Sequence, residues 1–157
     1  MELGISLAIL GAGLAVGFAG AGSVLGVSAA GQAGAGVISE DPDKFGKVLV
    51  LEALPATQGI YGFLVAFLIL QKIGLFGGEI VALTMSNGLS LLFASLPIAI
   101  AGFSSGWYQG KVSASGMKIV ATQPKAMGKA IILSAMVETY AVLGLLISIL
   151  LIFGITV

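Results

Sequence analysis

Glu138 stands in the run Ala135-Met136-Val137-Glu138-Thr139-Tyr140, fourteen residues past Pro124 in an otherwise apolar stretch. At 1.5 Å per helical residue this is roughly 20 Å from the nearest polar connection, close to the middle of a bilayer. An acidic side chain at that depth costs about 2.5 to 3.5 kcal/mol on insertion scales, so a lone one is protonated or paired. Thr57 and Gln58, fifteen and sixteen residues past Pro42, and Gln109, fifteen before Pro124, come to the same depth. Leu54, Thr57, Gln58 and Tyr61 recur at spacings of three and four and share one helix face. Pro55 removes a backbone donor and crowds the carbonyl one turn earlier, which lets nearby carbonyls turn outward. The set comprises one carboxylate, two amide oxygens, a hydroxyl and a backbone carbonyl, with a single formal negative charge. It suits a dehydrated monovalent hard cation. A divalent ion would recruit more carboxylates or keep water, and a proton would need the carboxylate alone, so sodium is the expected cargo. The plainer alternatives are a neutral acid bonded between helices for Glu138, polar contacts between spans for Thr57, Gln58 and Gln109, and a simple kink at Pro55.

The elements that must position these groups follow from composition. Of 157 residues, 58% are hydrophobic and 9% charged, against about 25% charged in ordinary soluble domains. Seven lysines balance seven carboxylates, and arginine, histidine and cysteine are absent. There is no basic field for nucleic acid, no imidazole for acid–base work and no thiolate chemistry. Apolar stretches at about 4–37, 46–71, 80–120 and 128–155 are each long enough to cross about 30 Å of hydrocarbon. They lack the two-residue alternation of barrel strands, so the expected fold is all-α, with four transmembrane helices. Glu2 replaces the basic start of a secretory signal, and the N-terminal stretch is expected to be the first span. Lysines 44, 47, 118, 125 and 129 gather around the connections near 38–46 and 121–128. The positive-inside rule puts those loops in the cytoplasm and both termini outside. The chain is expected to be an integral membrane protein, in contact with lipid and binding no nucleic acid.

Shifted by 82 positions, the chain aligns Pro42-Asp43-Lys44-Phe45-Gly46-Lys47 with Pro124-Lys125-Ala126-Met127-Gly128-Lys129. Thr57 then meets Thr139, Gly62 meets Gly144 and Ser23 meets Ser105, while Glu138 stands opposite Ala56. This register implies a duplicated helical hairpin, residues 1–78 and 79–157, forming one membrane domain with a single mid-membrane carboxylate. Gly13, Gly17, Gly22, Gly26, Ala30 and Gly34 are expected to line one face of the first span, allowing close approach of another backbone.

Leu54-Pro55-Ala56-Thr57-Gln58-Gly59-Ile60-Tyr61-Gly62, Gln109-Gly110-Lys111 and Val137-Glu138-Thr139-Tyr140 together resemble the proteolipid (c/K) ring subunits of rotary V-type ATPases. The likeness is greatest to the K subunit of bacterial sodium-translocating enzymes and covers essentially the whole chain. The resemblance implies identical subunits in a homo-oligomeric ring in the bacterial plasma membrane. A central stalk and ATP-hydrolysing head would turn that ring past a stator membrane subunit. It also implies Na+ ligands at Glu138, Gln109, Gln58, Thr57 and the Leu54 carbonyl, with the Tyr61 hydroxyl holding the carboxylate. The chain would not be an enzyme by itself and would need no organic cofactor. It has no arginine, so a displacing arginine would come from the stator. Glu52 and Lys111 fall at nearly equal depth nearer the cytoplasm and form a candidate ion pair, within or between subunits. Alternatively, Lys111 snorkels to the interface. Rival readings of the whole are a proton-carrying ring of the same kind and a stand-alone channel or carrier.

Overall fold

The structure is a computed structural model describing residues 2–157. Its helices are α1 (Glu2–Glu40), α2 (Phe45–Ala53), α3 (Thr57–Lys72), α4 (Met85–Thr122) and α5 (Met127–Gly154). The described residues contain no strand. Four segments have the length and apolarity to cross a membrane: Leu3–Glu40, Pro42–Lys72, Met85–Thr122 and Pro124–Gly154.

Local chemistry sets the breaks. Asp41 is extended and its carboxylate accepts from the Asp43 N–H at 3.2 Å, with Pro42 opening the 3-10 turn Pro42–Lys44 that leads into α2. Proline suits this position because the first amide of a helix lacks a partner anyway. Pro124 opens the equivalent turn, Pro124–Ala126, before α5. Pro55 interrupts the second span with a further 3-10 turn, Leu54–Ala56, which divides α2 from α3.

The third span begins later than apolarity alone suggests. Residues 80–84 are apolar up to Thr84 but non-helical, and the helix starts at Met85, where the Thr84 hydroxyl caps the Asn87 N–H at 3.1 Å. Upstream, Gly74 and Gly77 take left-handed backbone angles, φ 80° and 96°, that side chains disfavour. The connection between the second and third spans is therefore a folded 12-residue segment, and the Val81 N–H donates back to the Ile73 carbonyl at 3.2 Å.

α1 packs closely against α4 through paired glycines. Gly22 faces Phe103 and Gly106, and Gly26 faces Gly106 and Gly110. The expected single glycine face is not observed: a side chain at Gly13 or Gly17 would meet nothing, whereas Gly22, Gly26 and Gly34 are packed. At about 100° per residue, the five-residue step from Gly17 to Gly22 turns the helix by roughly 140°, so the two groups lie on different sides.

Two apolar cores hold the bundle. One contains Ala12, Val65, Ile69, Leu91, Ile98 and Ile152; the other contains Ala30, Val48, Leu51, Met117, Val120 and Ala130. Along the second, third and fourth spans the polar residues 57–61, 105–113 and 134–138 fall between the residues of these two cores. At the end bearing Pro42 and Pro124, Lys44 pairs with Asp41 at 3.2 Å and donates to the Ala121 carbonyl at 2.9 Å, joining the first loop to the end of α4. Pro97 lies inside α4, and the next amide, Ile98 N–H, finds Ser148 Oγ on α5 at 3.2 Å.

Candidate ion-binding site

The carboxylate of Glu138, half-buried on α5, meets side chains from two other spans. Oε1 accepts from the Thr57 hydroxyl at 2.8 Å and the Tyr61 hydroxyl at 2.7 Å, both from α3. Oε2 accepts from Gln109 Nε2 of α4 at 3.3 Å. Gln58 and Gln109 are fully buried and bonded to each other, Gln58 Nε2 donating to Gln109 Oε1. No buried side-chain polar atom among the described residues lacks a partner.

The oxygen arrangement centres on Thr57. Its Oγ1 lies 3.1 Å from the Leu54 carbonyl, 3.4 Å from Gln58 Oε1 and 2.8 Å from Glu138 Oε1. One hydroxyl carries one proton. Three acceptor oxygens therefore converge on a group that can satisfy one of them fully, which makes the surroundings of Thr57 rich in lone pairs, while the Tyr61 hydroxyl and Gln109 amide also donate to the carboxylate. Pro55 contributes through the 3-10 turn: the Leu54 carbonyl receives the Thr57 amide as well as the Thr57 hydroxyl, and so faces the cluster.

Glu138 forms part of the bundle surface beside Ala135, Thr139, Val142 and Leu143. A group approaching from outside the protomer can reach its helix face without unpacking the cores. The equivalent of Thr57 in the second hairpin, Thr139, bonds the carbonyl three residues earlier in the same way, to Met136 at 2.8 Å, but is exposed and does not donate to the neighbouring Glu138 carboxylate.

The family model for the ATP synthase C subunit matches this chain twice, over residues 10–69 and 92–151. The chain belongs to this family. It is 46% identical over 149 residues to the V-type sodium ATPase subunit K of Enterococcus hirae, covering 95% of this chain and 92% of that relative. It is also 46% identical over 149 residues to the A-type ATP synthase subunit K of Methanocaldococcus jannaschii, covering 95% of this chain and 63% of that one. It is accordingly a rotor-ring subunit of a V/A-type ATPase, an ion-translocating component that is not itself catalytic. The two family matches begin and end in the register of 82 positions that relates the hairpins.

Two charged residues of this rotor-ring subunit, close in depth along the sequence, lie apart. Glu52 packs against Gly31 of α1, where an added Cβ would sit 2.6 Å from Glu52 Oε1. Lys111 turns back along α4, its ammonium 4.6 Å from the Trp107 ring centre and 5.0 Å from that of Tyr108. The only ion pair among the described residues is Lys44–Asp41, so Glu52 and Lys111 do not pair within a protomer. The aromatic faces satisfy the cation locally, which a depth estimate along the sequence does not capture.

Sequence reasoning overlooked the serines. Ser105 accepts from Gln58 Nε2 at 3.0 Å and donates to the Val137 carbonyl at 2.9 Å. Ser23 of α1 accepts from the Gly59 N–H at 2.8 Å, and Ser113 and Ser134 bond across α4 and α5 at 2.7 Å. Ser105 precedes Gln109 by four residues, so helical spacing alone could have put it on the same face.

Proposed function

We propose that this chain carries Na+ across the membrane at Glu138, as one of a ring of identical subunits driven by ATP hydrolysis elsewhere in the complex. The observation that carries the reading is the convergence of the Leu54 carbonyl, Gln58 Oε1 and Glu138 Oε1 on the single hydroxyl of Thr57. Such an oxygen-rich centre with one formal negative charge matches a small monovalent cation better than it matches a proton. The sodium ATPase named for the Enterococcus hirae relative supports the same choice.

The ion ligands are Glu138, Gln109, Gln58, Thr57 and the Leu54 carbonyl. Tyr61 holds the carboxylate by donating to Oε1, the oxygen that Thr57 also bonds. Sodium and carboxylate together are neutral, and a neutral site can move through lipid where a bare carboxylate cannot. Loading requires Gln109 to turn, because the group it presents to Glu138 is an N–H, which repels a cation. Release by a displacing arginine requires one from outside the chain, since the sequence contains none. A stator membrane subunit supplies that arginine. Moving one charge against 100 mV costs about 2.3 kcal/mol, which enters through the nucleotide-binding head and central stalk.

The two hairpins, 1–78 and 79–157, form one membrane domain in a bacterial plasma membrane. The termini lie outside and the loops near 38–46 and 121–128 are cytoplasmic.

The test is carbodiimide modification of Glu138 in membranes holding the assembled complex. At constant pH, increasing Na+ is expected to protect Glu138 in a saturable manner. Unchanged labelling at saturating Na+ would overturn sodium coordination and leave the proton-carrying ring. Ion flux from the isolated chain in liposomes would instead support a stand-alone carrier.

A further inference from the structure

We infer that Ser105 is a positioning residue for ion binding: it fixes the orientation of the Gln58 amide so that the oxygen, and not the NH2 group, faces the ion. The inference rests on the sodium reading above and deepens it.

A serine hydroxyl has one proton and two acceptor lone pairs. Ser105 directs that proton to the Val137 carbonyl of α5 at 2.9 Å. What it offers Gln58, 3.0 Å away, is therefore an acceptor, and the group that answers an acceptor is the NH2. The two ends of a primary amide lie on opposite sides of one carbon, so turning Nε2 to Ser105 turns Oε1 to Thr57, where it stands 3.4 Å from Oγ1. The reversed amide would place two N–H donors toward Thr57 and Glu138, where a cation must sit.

The environment leaves little room for substitution by water. Ser105 is 4% exposed and Gln58 is fully buried. Gln58 Nε2 has one other acceptor, Gln109 Oε1. Gln109 is also the ligand whose oxygen must turn toward the ion on loading, which leaves Ser105 as the acceptor that holds Gln58 in both states. The same hydroxyl ties the helix of Gln58 to that of Glu138, because Val137 directly precedes the carboxylate. Buried polar groups connected in this way specify one arrangement, since every alternative leaves a donor or acceptor unmet.

The experiment compares Ser105→Ala and Ser105→Thr with the wild type in membranes containing the whole complex, using NaCl in a choline background at fixed pH. Two quantities are read: the rate at which carbodiimide labels Glu138 without sodium, and the Na+ concentration giving half-protection. Ser105→Ala is expected to raise that concentration roughly three- to tenfold, the effect of one lost hydrogen bond. The sodium-free labelling rate stays unchanged, because Thr57, Tyr61 and Gln109 still hold the carboxylate. Ser105→Thr keeps the hydroxyl and stays near the wild-type value. A defect of packing alone would alter the sodium-free rate as well, and that outcome overturns the proposal. So does a Ser105→Ala midpoint equal to that of the wild type. If Ser105→Ala fails to assemble, Ser105→Cys, nearly isosteric and a poorer acceptor, is expected to show the same shift in direction. A wild-type complex unprotected by Na+ defeats the sodium reading itself, which distinguishes that failure from failure of the role of Ser105.

Discussion

Gly26 and Gly110 meet backbone to backbone: a methyl group on Gly110 would overlap the Cα and carbonyl of Gly26. Gln109, the residue immediately before Gly110, bonds Gln58 of α3 directly, so the close contact of α1 with α4 lies next to the polar cluster.

Gly110→Ala is therefore expected to destabilise the subunit by about 1–3 kcal/mol, the usual cost of forcing extra volume into a packed contact. Lower yield of detergent-stable complex and a lower thermal midpoint would show it. Gly36→Ala, where an added Cβ meets nothing within the protomer, serves as the control and is expected to behave as wild type in the thermal assay.

Thr57 and Tyr61 both donate to Glu138 Oε1, yet their loss should differ. Thr57→Ala removes the hydroxyl on which three oxygens converge and is expected to weaken Na+ binding about tenfold, or roughly 1.4 kcal/mol, whereas Thr57→Ser restores it. Tyr61→Phe removes a support for the carboxylate but no ion ligand, so its half-protection concentration shifts less. Equal shifts in the two variants would place the tyrosine oxygen among the ligands.

Pro55→Ala keeps the Cβ that packs beside Gly26 while restoring an amide donor at position 55. The helix can then run through Leu54–Ala56, drawing the Leu54 carbonyl into a regular helical bond and away from Thr57. Half-protection by Na+ is expected at a severalfold higher concentration, with the complex still assembled. An unchanged value would mean that the Leu54 carbonyl is not a ligand.

Trp107 is the sole tryptophan, and the Lys111 ammonium lies over its ring. Lys111→Gln should shift its fluorescence emission while leaving Na+ protection of Glu138 unchanged, because Lys111 touches none of the proposed ion ligands. Glu52→Gln is expected to leave the emission alone. A matching shift in Glu52→Gln would instead reveal a Glu52–Lys111 pair between neighbouring copies.

Depth and helix face could be read directly from the chain because both are one-dimensional. Counting from Pro42 and Pro124 at a fixed rise brings Thr57, Gln58, Gln109 and Glu138 to one level, and in the structure these four side chains are in contact. The same arithmetic failed where position along a helix was not the deciding quantity. Hydropathy extended the third span back over residues 80–84, which are non-helical and end at the extended Thr84 cap. A spacing of four treated Gly13 and Gly22 as neighbours although an intervening step of five carries them to different sides. Equal depth suggested a pairing of Glu52 with Lys111 within or between subunits, whereas inside one protomer Gly31 and the Trp107 and Tyr108 rings receive them separately.

By itself, then, the sequence determined four apolar spans, a doubled hairpin and one acid in mid-membrane with oxygen-bearing side chains at its level. Hydrophobicity, helical rise and periodicity are properties of a segment and survive in a linear string. The tertiary structure decided which atoms of those side chains face one another. The Gln58 amide is turned by Ser105, Ser105 by Val137, and the Leu54 carbonyl by the proline that follows it. Each of the two serine contacts joins groups from different spans, and the direction of a hydrogen bond is settled only when donor and acceptor are both in place.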